Sequence, residues 1–134
     1  MNKIFYPAVF HPEHEDGGFS VFFPDLAGCY SQGDTLEEAV AMAEDALGLY
    51  LNTMQELKRD VPAPFTKSPE LEGDDFTTLI KYDEAEYLRK TDTRAVKKTV
   101  TIPAWLDTLA RKKNVNFSNT LQNALCHELG VQMI

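Results

Sequence analysis

At 134 residues, 43% hydrophobic and 25% charged, the chain has the make-up of an ordinary globular protein with one domain or two small ones. No apolar run is long enough to span a bilayer, which argues against a helical membrane protein. The net charge of -8 is unevenly placed: residues 1–90 hold seven basic and eighteen acidic side chains, net -11, whereas residues 91–134 hold six basic and three acidic, net +3. An acidic body repels nucleic acid and suits a basic protein, and a basic tail suits phosphate, so two pieces with different partners are expected: residues 1–90 and 91–134.

In chain order, "KIFYPAVFHP", Lys3 to Pro12, reads as an apolar strand. Pro7 and Pro12 interrupt it and no small-residue cleavage site follows, so it is not read as a signal peptide, and a cytoplasmic location is expected. Asp16-Gly17-Gly18 supplies a turn, and "FSVFF" returns as the second strand of a hairpin that Pro24 stops. "GCYSQG", Gly28 to Gly33, fits a short third strand. The period then changes. Leu36, Val40, Ala43, Leu47, Leu51 and Met54 recur at three- and four-residue spacing and predict an amphipathic helix. Asp34 or Thr35 caps it, with Glu37 and Glu38 at capping-box distance. "VPAPFTKSPELEG", with three prolines, is a loop; "FTTLIKYD" is a fourth strand; "EAEYLRKTDTRA" is a short helix or linker.

The last part reads strand, helix, helix. In "VKKTVTIP", Val96, Lys98, Val100 and Ile102 alternate with Lys97, Thr99 and Thr101, as a two-faced strand requires. A helix then begins at Pro103, with Trp105, Leu106, Leu109 and Ala110 on one face. Asn116 or Ser118 caps a second helix bearing Leu121, Ala124, Leu125 and Leu129, ended by Gly130. A lone strand leaves both edges unpaired, and three small elements cannot enclose a core. Both problems vanish in a homodimer, whose two strands make an antiparallel ribbon with four helices closed around Val100, Ile102, Trp105, Leu109, Leu121 and Leu125.

This pattern resembles the ribbon-helix-helix repressors of the Arc/MetJ type. Operator DNA is then the expected partner, read from the major groove by Lys97, Thr99 and Thr101. Backbone N–H groups around Asn116, Ser118 and Asn119 would meet a phosphate. The N-terminal part carries a second resemblance, in Tyr6-Pro7, Gly18-Phe19, Phe23-Pro24-Asp25-Leu26, Gly28-Cys29, Gly33-Asp34-Thr35, Glu38-Ala39 and Pro62-Ala63-Pro64. It looks like the N-terminal domain of the HicB antitoxins. The resemblance implies an α+β chain with a degenerate ribonuclease-H-like sheet and helix followed by a ribbon-helix-helix. It also implies a HicA-like mRNA-interferase toxin as partner and repression of the shared operon. Asp25, Glu37 and Glu38 are the candidate exposed contacts to that toxin. Higher assembly through the N-terminal sheet is left open.

Catalysis, cofactors and metals are not expected. Ribonuclease-H-type chemistry needs several carboxylates converging on divalent metals, and "IFYPAVF" has none. Asp16, Asp25 and Asp34 fall in turns, and His11 and His14 in a loop beside Glu13, Glu15 and Asp16. Cys29 and Cys126 lie in unlike segments and predict free thiols. Two other readings remain: a stand-alone repressor whose N-terminal domain senses a small molecule, and a weak metal-dependent nuclease.

Overall fold

The computed structural model describes residues 3–133. The chain divides into one unit that ends at Tyr87 and a second that begins at Leu88. The first unit holds a four-stranded antiparallel sheet: β1 (Lys3–Pro12), β2 (Phe19–Phe22), β3 (Tyr30–Gly33) and β4 (Phe76–Asp83), in the order β3-β2-β1-β4. Helix α1 (Leu36–Glu56) lies against it, and α2 (Glu84–Thr91) runs across the division between the units. The second unit continues with α3 (Ala104–Lys112) and α4 (Phe117–Leu129). The chain is thus a mixed α+β protein.

Register follows from the alternation of β1. Phe10 stands opposite Val21, and Tyr6 opposite Ile80, so these side chains share a face. With Ala8, Tyr82 and Phe23 they meet Ala39, Ala43 and Leu47, one stripe of α1, and together form the buried core. Phe76 stacks on Phe10 with centroids 5.3 Å apart and receives the edge of Phe19 at 6.2 Å, which ties the start of β4 to the β1–β2 hairpin.

Two glycines let backbones close up around the start of α1. Gly33 ends β3 so near the helix that a Cβ there would lie 2.3 Å from the Ala39 nitrogen. Gly18, at φ +81°, brings the hairpin against the Gly33 carbonyl, where a Cβ would lie 2.5 Å from its oxygen. Thr35 caps α1 by accepting the Glu38 N–H at 3.1 Å, which settles the choice between Asp34 and Thr35.

Several boundaries differ from the sequence reading. β3 begins at Tyr30, because Gly28 takes φ +83° and the chain is still turning there. His11 is not in the loop but in β1, opposite Ser20. Pro103 sits just outside α3 as its N-cap, with extended ψ of 142°, and Ala104 is the first helical residue. The strand expected at residues 96–102 is one paired with a second copy. These residues carry no strand in the single chain, because a strand requires a hydrogen-bonded neighbour and this chain supplies none to them.

Candidate functional site

Asp25 follows β2 and the turn at Pro24, and the sequence alone marks it as an exposed carboxylate. It is buried, only 2% exposed. Its oxygens accept the Phe65 N–H at 3.0 Å, the Thr66 hydroxyl at 2.9 Å and the Lys67 N–H at 2.9 Å. Burial pushes its pKa up; the donors from Lys67, Thr66 and Phe65 outweigh that and hold the carboxyl below its ordinary value. Asp25 is therefore the clasp of the long loop after α1, not a surface contact. Tyr6 gives that loop a second anchor, donating its hydroxyl to the Pro62 carbonyl at 2.6 Å.

The remaining acids line the outside of the first unit. Glu37 and Glu38 lie in the first turn of α1 and are exposed, where they complement the helix dipole. Glu38 joins Glu13, Asp16 and Asp34 around an open concavity of about 580 Å³ between the hairpin and the start of α1. No Lys or Arg occurs between Lys3 and Lys58, so β2, β3 and α1 carry no basic side chain of that kind and the acids of α1 and the hairpin stand unopposed there. The histidines are tied down by neighbouring acids. His11 Nδ1 bonds Asp75 Oδ1, and His14 Nε2 pairs with Asp74 at 3.1 Å. Among the described residues, no three His, Cys, Asp or Glu side chains gather as a metal site. Cys29 is a free thiol, and burial pushes it up to about 11.

In the second unit, Lys97, Thr99 and Thr101 lie on an exposed extended stretch, and residues 94–103 contain no acid. Asn116, Ser118 and Asn119 come together at the start of α4. Asn116 is the cap: its Oδ1 accepts the Asn119 N–H at 3.0 Å, so that group is already committed. The first-turn N–H groups of Phe117 and Ser118 have no partner within the helix. None of the described residues from 88 onward is buried. Val96 is 82% exposed, Trp105 66% and Leu109 54%, a heavy load of apolar surface for so small a unit.

Comparison with known proteins decides what this architecture belongs to. A model of the HicB_like antitoxin of bacterial toxin-antitoxin systems matches residues 6–125. This chain belongs to the HicB-like antitoxin family. Antitoxin HicB 2 of Photorhabdus laumondii is 45% identical over 62 residues, covering 46% of this chain and 43% of that protein. The match thus spans under half the length of that relative. A toxin–antitoxin complex from Streptococcus pneumoniae contains a chain 28% identical to this one, with TM-score 0.56, covering 95% of this chain and 99% of that one. The antitoxin HicB of Burkholderia pseudomallei, 20% identical with TM-score 0.51 over 95% and 97% of the two chains, shares the fold.

In this HicB-family chain, sequence reasoning found the acidic helix start but missed the Asp25 clasp. The signal was present in "FPDLAG" followed by "VPAPFT": a single Asp after a strand-ending proline, and a proline-rich loop needing anchors for its backbone N–H groups. What joins the two is a separation of some forty residues along the chain, which no local pattern records.

Proposed function

We propose that this HicB-family chain is an antitoxin that binds a small basic HicA-type ribonuclease through its first unit and represses its own operon through its second. The observation that carries the reading is the division of charge and burial along one chain. The first unit has a packed core and an outer surface of acids; the second is basic, free of acids at residues 94–103, and leaves its apolar side chains uncovered. The relation over nearly the full chain to a member of a toxin–antitoxin complex supports the same reading.

The sheet and α1 are read as a degenerate ribonuclease-H-like core that binds rather than cleaves, since β1 carries no carboxylate. Residues 96–102 pair with their counterparts in a second copy, forming the two-stranded ribbon of a ribbon-helix-helix dimer. Val100, Ile102, Trp105, Leu109 and Leu125 then gain the cover they lack alone. Lys97, Thr99 and Thr101 face the operator's major groove, and the start of α4 meets a phosphate.

The test is neutralisation. Expressed alone, a small basic HicA-type toxin is expected to arrest growth, and co-expression of this chain to restore it. A fragment of residues 1–94 should restore growth as well. Growth arrest that persists with soluble full-length chain present would refute the antitoxin reading.

A further inference from the structure

The first unit has a seam where the edge strand β3 meets α1, and its two ends differ in chemistry. At one end, Gly28, Cys29 and Tyr30 face Leu49, Thr53 and Met54 across an apolar groove of about 270 Å³. Leu49 is 61% exposed there, and Met42, 44% exposed, continues the apolar surface along the helix. At the other end is the concavity walled by Glu13, Asp16, Asp34 and Glu38. The strand between them is short, Tyr30 to Gly33, or about 10 Å at the rise of an extended chain. β3 pairs with β2 on one side only, so its other side is an open sheet edge.

We infer that this seam is the surface on which the basic partner docks, taking an apolar side chain into the groove and a Lys or Arg into the acidic concavity a few residues away. The inference rests on the antitoxin reading and names the surface that reading leaves unassigned. Charge selects the occupant. Ten acids and no Lys or Arg fall between Lys3 and Lys58, so the seam repels nucleic acid and acidic segments alike. A cationic segment meets no like charge on β2, β3 or α1. Apolar contact in the groove supplies the hold, and the carboxylates set the rate of approach and the orientation.

The other edge of the sheet provides the control. β4 carries Leu79, 52% exposed, at a comparable degree of exposure but away from the seam. The full chain is titrated with the purified HicA-type toxin that it neutralises, as wild type and as Leu49→Arg, Thr53→Arg, Asp34→Lys with Glu38→Lys, and Leu79→Lys. Leu49 is exposed and Thr53 half-buried on the groove wall, and Arg is a good helix former at both. Circular dichroism and light scattering accompany each titration.

Binding at least tenfold weaker for Leu49→Arg and Thr53→Arg is expected, with faster dissociation. The double charge reversal should slow association and flatten its salt dependence, and Leu79→Lys should bind like wild type. Folded groove variants that bind like wild type would overturn the seam while leaving the antitoxin reading standing. So would groove variants that change the number of subunits, because the groove would then join copies of this chain. No binding by the wild type would remove both.

Discussion

Asp25 shows how much one side chain can organise. Its carboxylate meets three donors from a loop that would otherwise have no regular structure to hold it. Asp25→Ala removes the acceptor and leaves the Phe65 and Lys67 N–H groups to find water. A loss of about 1–3 kcal/mol is expected, the range for buried donors left unmet, and urea denaturation of the first unit would measure it. Because the folded-state pKa is depressed, this contribution is complete above the unfolded pKa and fades as pH falls through the folded value. The His11–Asp75 pair adds a window of its own. The hydrogen bond that His11 donates to the Asp75 carboxylate, against a smaller opposing effect of desolvation, raises the pKa of His11; the same bond lowers that of Asp75. The His11 contribution is full below its unfolded pKa and is lost as pH rises through the raised folded one. That of Asp75 is full above its unfolded pKa and is lost as pH falls through the lowered one. Protection from hydrogen exchange at residues 72–76, taken relative to the intrinsic rate at each pH, is therefore expected to be greatest between these limits and to fall on either side. His11→Gln should flatten the alkaline side; an unchanged profile in that variant would dissociate the loop from the pair.

The element whose behaviour matters most is the stretch at residues 96–102. In the proposed ribbon its alternation would turn an apolar surface toward a protein core and a polar one toward bases, and the absence of acids from 94–103 keeps it compatible with phosphate. Within the single chain it forms no strand, and Val96 and Val100 stay exposed. Thr99, on the polar face, can donate or accept at a base edge and can touch a thymine methyl. Thr99→Ala is expected to cost about 1–3 kcal/mol on the operator and little on scrambled duplex, titrated at one fixed salt concentration. Equal losses on both duplexes would reduce the stretch to a backbone contact. Helix α4 is better determined locally: Asn116 caps its start, and Gly130 at φ +67° ends it, both as side-chain and backbone chemistry require.

For the molecule as a whole, the two units differ in how they meet the requirement for a core. The first buries Tyr6, Phe10, Leu26, Leu47 and Ile80 within itself. The second buries nothing fully among its described residues, and the proposed pairing with a second copy would cover Trp105, Leu109 and Leu125, each at least half exposed. Truncation after Arg94 should then leave a folded first unit with fewer subunits per particle than the full chain. Light scattering would show it; the same subunit count in both would place the self-association outside residues 95–134.

By itself the sequence determined the element order of the first unit, because each signal there is local: the apolar run of Lys3–Pro12, the turn at Gly17-Gly18, the change to helical spacing at Leu36, and the strand-like stretch of residues 76–83. It also determined the charge division, which is a property of composition. Only the tertiary structure decided that β4 joins β1 rather than β3, that Asp25 lies under the loop instead of facing a partner, and that His11 is held by Asp75. It also decided that Glu38 shares a concavity with the hairpin acids Glu13 and Asp16. These are encounters between residues far apart in the chain. They are fixed by which apolar faces must be buried together, and the neighbours of a residue along the sequence carry no record of that choice.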